Sequence, residues 1–155
     1  MKQNCIILAR KNSKRIIGKN LVSFKGKPLI YWTLKHAFNS KIFNKIILSS
    51  DWDELLNYSK KKFKKLIINK RPLNLSKSKI KSEEVINYIF KKYKFSGGYT
   101  ALLQPTSPLR KFSYIRLMLN LAQRKKLNTL HSISEIRNKT FIKKKNNFYK
   151  FPKKK

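Results

Sequence analysis

Short apolar runs, separated by stretches of helical periodicity, constrain this chain more than any other feature. Cys5–Leu8, Lys45–Asp51, Leu66–Ile68 and Tyr99–Leu103 each read as a strand, and the first is apolar at every position. A run without polar alternation fits a strand covered on both faces, as in a parallel sheet. Pro28 suits the first position of a helix, and Leu29, Ile30, Thr33, Leu34, Ala37 and Phe38 follow at helical spacing up to Asn39-Ser40. Trp52, Leu55, Leu56 and Phe63 form the face of a second helix, with Asp53 and Glu54 in the first turn where the macrodipole favours them. Ser82 is predicted to cap a third helix, with Glu83 and Glu84 behind it and Val85, Ile86, Ile89, Phe90 and Tyr93 on one face. Ser113 is predicted to cap a fourth, carrying Tyr114, Ile115, Met118, Leu121 and Ala122. Thr129–Ser134 reads as a fifth strand, and from Phe141 onward the pattern dissolves into Lys, Asn and aromatics. Strands alternating with helices in this rhythm predict βαβ units and a parallel sheet.

Right-handed crossovers bring the C-terminal ends of all such strands to one edge of the sheet. Three polar segments are thereby expected to converge: Arg10–Asn20, Ser49–Asp51 and Gln104–Arg110. The first is a loop crowded with Arg10, Lys11, Lys14, Arg15 and Lys19, with Asn12, Ser13 and Asn20 interleaved. A cationic, donor-rich loop after a buried strand is where open α/β sheets bind phosphorylated ligands. The spacing is not that of a Walker A loop, and Gly18 alone does not make a dinucleotide fingerprint. Any phosphates bound here must be held by side chains and backbone amides of a glycine-poor loop. Pro105 and Pro108 exclude both helix interior and central strand, so Gln104–Arg110 is read as a rigid loop at a strand's end.

Charge is the compositional anomaly. Of 155 residues, 39 are Lys or Arg and 6 are Asp or Glu, a net charge of +33. That balance admits two readings: a polyanionic partner, nucleic acid above all, or a codon bias that enriches Lys, Asn and Ile together and merely coats the surface. No nucleic-acid-binding motif accompanies it, and the charge is dispersed rather than striped. A hydrophobic content of 41% supports a folded interior. Cys5 is the sole cysteine, which excludes an intramolecular disulfide and a cysteine-built zinc site. Neither the apolar segment of a signal peptide nor a run long enough to span a membrane is present, so a soluble, cytoplasmic protein is expected.

The residues of the first loop also carry a resemblance. Ile7-Leu8-Ala9-Arg10-Lys11-Asn12-Ser13-Lys14 through Gly18-Lys19-Asn20 is similar to the signature of the acylneuraminate cytidylyltransferases, or CMP-sialic acid synthetases. Gly26-Lys27-Pro28-Leu29, Ser49-Ser50-Asp51, Arg71-Pro72 and Leu102-Leu103-Gln104-Pro105-Thr106-Ser107-Pro108-Leu109-Arg110 follow in the family's order, so the resemblance runs from Met1 to about Ser134. It implies a three-layer α/β fold of the nucleotide-diphospho-sugar transferase type, Rossmann-like, with a mostly parallel sheet and helices on both faces. It implies transfer of CMP from CTP to a nonulosonic, sialic-type sugar acid, with Mg²⁺ and release of pyrophosphate, for surface glycan synthesis. Kdo-type acids fit less well than sialic, legionaminic or pseudaminic acid.

Carried over by position, the resemblance puts Arg10 beside the cytosine and the phosphates. Ser13, Lys19 and Asn20 would hold the triphosphate, with Lys19 facing the pyrophosphate leaving group. Arg71 and Ser82 would reach the base and ribose, and Gln104, with Pro105, would border the base and the sugar acid. Arg10 and Lys19 are thus the candidate catalytic residues. The pattern is departed from at Lys77-Ser78-Lys79, where the family has an Asp, and at Glu135–Thr140, where it has a His-containing segment; His131 is read as a strand residue. Residues 1–140 are expected to form a nucleotide-binding domain, and 141–155 a Lys-rich tail opening a C-terminal part that the chain lacks. With that part the resemblance would lose its Mg²⁺ carboxylates and its dimerisation segment, so protein ligands for the metal are not found and a homodimer stays an open expectation. The alternatives are a non-catalytic remnant with nucleotide or polyanion affinity, and a basic nucleic-acid-binding protein.

Overall fold

Parity along the first strand decides how the layers form. In the computed structural model, which describes residues 3–12, 16–95, 97–132, 141–144 and 147–150, strand β1 spans Asn4–Leu8. Cys5 and Ile7 face one way, Ile6 the other, and all three are wholly buried. Ser23–Phe24 (β2) and Lys27–Pro28 (β3) make a small antiparallel hairpin through Lys25 and Gly26. Both turn residues have positive φ, 48° and 71°, the handedness that matches the strands' twist and that glycine adopts without strain. Helix α1 (Leu29–Asn39), strand β4 (Lys45–Ser50), helix α2 (Asp53–Lys62), strand β5 (Ile67–Lys70), helix α3 (Ser82–Lys92), strand β6 (Thr100–Leu102) and helix α4 (Phe112–Arg124) follow.

The main sheet is wholly parallel, in the order β5-β4-β1-β6. The chain moves outward from β1 through β4 to β5, then crosses back to the far side of β1. With right-handed crossovers, that reversal puts α3 on the opposite face from α1 and α2. The packing agrees. Ile30 and Leu34 of α1, Leu55 and Leu56 of α2, and Ile115 and Leu119 of α4 pack with Cys5, Ile7, Ile46 and Leu48. Val85 and Ile89 of α3 pack with Ile6 and Ile47 on the other side. The parallel sheet expected from the pattern, and the three-layer α/β architecture that the resemblance implies, are therefore the fold. Cys5, wholly buried beneath α1, has its thiol pushed up by desolvation, against the opposing influence of the Arg110 charge.

Element boundaries differ in instructive ways. β5 lies at Ile67–Lys70 rather than Leu66–Ile68, because its ladder with β4 continues through the polar pairs Ser49–Asn69 and Ser50–Lys70. Pro28 precedes α1 instead of opening it, since it closes the hairpin against Ser23. Ser82 is the first residue of α3 rather than its cap: the Lys81 N–H donates to Glu84 Oε1 at 2.9 Å, which moves the start back by one position. Ser113 likewise lies inside α4, whose cap position is Lys111, and Tyr114 is exposed while Ile115, Leu119 and Ala122 are buried. Residues 129–132 are not in a strand, and 133–134 lie outside the described residues. The segment predicted to be patternless contains a ribbon, Phe141–Lys144 (β7) paired antiparallel with Asn147–Lys150 (β8). No helix among the described residues is long and apolar enough to cross a membrane.

Candidate nucleotide site

The loops after β1, β5 and β6 share the C-terminal edge of the parallel sheet, the edge at which open α/β folds bind ligands. A cleft of about 720 Å³ opens there, within the roughly 300–1,000 Å³ typical of small-ligand sites. Arg10, Lys19 and Asn20 come from the first loop, Gln104, Pro105 and Thr106 from the loop after β6, and Arg71 from the end of β5. Ser82 stands at the start of α3 on the same cleft. Every predicted site residue but one thus lies around a single cavity; Ser13 lies outside the described residues, as do Lys14 and Arg15.

The first loop is held at both ends. Ala9 N–H donates to Ser49 O at 3.0 Å, which continues the β1–β4 ladder past the strand. Lys11 N–H donates to Asp51 Oδ1 at 2.8 Å. Gly18, with φ 62°, opens the tight turn Lys19–Leu21, closed by Leu21 N–H on Gly18 O at 2.9 Å. Asn20 is buried and its Nδ2 donates to Arg10 O at 3.1 Å, so part of its donor capacity closes the loop rather than facing a ligand. The second loop is tied from beneath by α1. Thr33 Oγ1 donates to Gln104 O at 3.4 Å, and His36 Nε2 to Pro108 O at 3.1 Å. Gln104 is exposed on the cleft and Pro105 is buried under it.

Arg71 is the cation that the fold commits most firmly. It is 7% exposed, and Ser49 accepts from its Nε and its Nη2. Burial pulls its basicity down, Asp51 opposes that, and Arg10 adds to it. Of the Ser49–Asp51 segment, Ser49 and Ser50 are wholly buried and bear on the cleft through Arg71, while Asp51 anchors the first loop. Sequence reasoning missed one wall. Leu75, Lys77, Ile80 and Lys81, from what reads as a polar connection, close the cleft beside α3. Lys77 and Lys81 add cations where Glu83 is the carboxylate on the lining, so the cavity suits an anion.

Among the described residues, no three metal-binding side chains gather. Asp51 already accepts from a backbone N–H, and Glu83 sits in a helix's first turn. These donors do not fit a metal centre assembled from protein carboxylates.

Fold and cleft together define an α/β domain with a cationic cleft at the C-terminal edge of its parallel sheet. The family model for cytidylyltransferases matches residues 4–150, and the chain belongs to that family. It is 51% identical over 61 residues to a pseudaminic acid cytidylyltransferase of Campylobacter jejuni, covering 39% of this chain and 26% of that one. It is 32% identical over 118 residues to an N-acylneuraminate cytidylyltransferase of Escherichia coli, covering 76% of this chain and 27% of that one. Among solved structures it resembles a CMP:2-keto-3-deoxy-manno-octonic acid synthetase complexed with CTP, at TM-score 0.66 and 17% identity, over 82% of this chain and 49% of that one. Its matched region spans only about a quarter of the length of these curated relatives.

Proposed function

We propose that this chain binds CTP in the cleft between the β1 and β6 loops and transfers CMP to a nonulosonic, sialic-type sugar acid, releasing pyrophosphate. The observation that carries this reading is the gathering of Arg10, Lys19 and Arg71 on one cavity of nucleotide size, with Gln104 on the opposing loop. In such a reaction the acceptor's anomeric oxygen attacks the α-phosphorus and loses its proton. The bond from that phosphorus to the bridging oxygen breaks, and the electron pair leaves on pyrophosphate. Phosphoryl-type transfer is accelerated mainly by positioning and by neutralising charge, and fixed cations supply both. Lys19, Asn20 and Ser13 are assigned to the triphosphate, Arg10 to the base and phosphates, Arg71 and Ser82 to the base and ribose, and Gln104 with Pro105 to the acceptor side. The names of the relatives support a nonulosonic acceptor class. We assign the reaction to the cytoplasm, in service of surface glycan synthesis.

Thermal unfolding with CTP, UTP, ATP, GTP or random duplex DNA, at near-physiological salt with Mg²⁺, tests the reading. A ligand that binds only the folded chain, at about 100 times its Kd, adds about 2.7 kcal/mol. For a domain of this size that is a rise of roughly 5–10 °C in Tm, expected with CTP and not with DNA. Equal stabilisation by every nucleotide and by DNA, abolished by salt, would mean a polyanion-binding remnant of the fold and would overturn the transferase reading.

A further inference from the structure

Ser49 and Asn69 stand opposite each other in the β4–β5 register, both wholly buried. Polar side chains inside a sheet need partners, and these find them in one chain of hydrogen bonds that ends at the cleft. Lys92 Nζ donates to Asn69 Oδ1 at 3.1 Å, and the Tyr93 hydroxyl donates to the same oxygen at 3.4 Å. With its carbonyl so engaged, the amide turns its nitrogen to Ser49 and donates to Oγ at 3.0 Å. Arg71 closes on the same serine with two N–H groups, Nε to Oγ at 3.3 Å and Nη2 to the carbonyl oxygen at 3.0 Å. Its own backbone N–H donates to Ser50 O at 2.7 Å. The guanidinium is gripped from below, and a guanidinium has more N–H donors than these contacts use. No carboxylate among the described residues lies within 4 Å of it. A nearly buried cation with no carboxylate in contact, and only the more distant charge of Asp51 to oppose its burial, is costly to fold, and a ligand with anionic or acceptor oxygens in the cleft offsets that cost.

We infer that Ser49, oriented by Asn69, is a positioning residue that fixes the Arg71 guanidinium toward the nucleotide site. This rests on the nucleotide reading above. A guanidinium held at two points is ordered on folding, so binding does not have to order it again, and its remaining donors meet the ligand in one geometry.

Titration calorimetry with CTP on the whole chain tests this. Ser49→Ala is expected to weaken binding by about five- to tenfold, and Arg71→Ala by more. The double variant is expected to bind no more weakly than Arg71→Ala alone, because the serine acts through the arginine. A merely structural role does not give that result: a loosened sheet lowers the unfolding midpoint, and its effect on affinity adds to that of Arg71→Ala. Ser49→Cys keeps the volume, accepts hydrogen bonds poorly, and serves the same comparison should the alanine variant not fold. If both Ser49 variants bind within about twofold of wild type, or if the effects add, the positioning role is overturned and the nucleotide reading stands. A wild-type chain that takes up no CTP overturns both.

Discussion

On the proposed transferase reading, Lys19→Ala is expected to lower the rate of CMP transfer by about 10²–10³-fold, the loss typical when one preorganised donor to a developing oxyanion is removed. The expectation starts from backbone geometry. Gly18, in the left-handed region, turns the chain so that Lys19 opens a tight helical turn, and Val22 N–H donates to Lys19 O at 3.2 Å. The side chain leaves that fixed turn at the cleft, half-buried, across from the Gln104 loop. As the α-phosphorus bond breaks, negative charge grows on the leaving pyrophosphate, and a cation already in place needs little reorganisation to meet it. The loss should therefore fall mainly on kcat, with a smaller rise in KM. Lys19→Arg keeps the charge but spreads it over a planar fork, and is expected to recover only part of the rate. Lys62→Ala, exposed at the end of α2, is the charge-matched control and should leave turnover unchanged. A Lys19→Ala enzyme within about threefold of wild-type kcat would remove Lys19 from the leaving-group side of the site.

Much of this site was legible because its parts lie at strand ends, and strand ends follow from apolar patterning. The unbroken run Cys5–Leu8 and the helical spacing from Leu29 to Phe38 dictate a βαβ unit, and the unit's handedness brings the loops to one edge. That edge collects Arg10, Lys19 and Gln104. What was not legible depends on register and on segments without period. That Ser49 would stand opposite Asn69 follows from the β4–β5 pairing, which extends two polar residues past the apolar run used to locate β5. Arg71 could be read as a site residue only through the family resemblance; its grip on Ser49 has no signature along the chain. The wall formed by Leu75, Lys77, Ile80 and Lys81 follows Arg71-Pro72 in a stretch too polar to show periodicity. The Ser82 cap was misplaced by one residue because Glu84 reaches back to Lys81, an interaction that a preference for hydroxyl caps does not anticipate.

Leu48→Ala is expected to cost about 3–5 kcal/mol, the upper part of the range for truncating a fully buried leucine. Leu48 lies in β4, between Ile7 of β1 and Ile68 of β5 in the ladder, and none of its surface is exposed. Its side chain belongs to the larger core, which α1, α2 and α4 cover together. A strand held on two sides and packed by helices has little room to collapse into the space left by three carbons, so the cavity term adds to the lost transfer energy. Against a total stability of about 5–15 kcal/mol, that is a fifth or more of what holds the domain folded. It should appear as a fall of roughly 10 °C in Tm and as a lower urea midpoint with an unchanged slope. Leu117→Ala is the comparison: the side chain is 62% exposed on α4, and the change should stay within about 0.5 kcal/mol. The neighbouring residue of the strand is Ser49, so the same experiment separates stability from function. At temperatures where the Leu48→Ala chain is still folded, CTP affinity should stay close to wild type, because the contact of Ser49 with Arg71 does not run through the leucine. Loss of less than about 1 kcal/mol would mean that β4 is not the buried centre of the sheet, and the site built on its far end would lose its foundation.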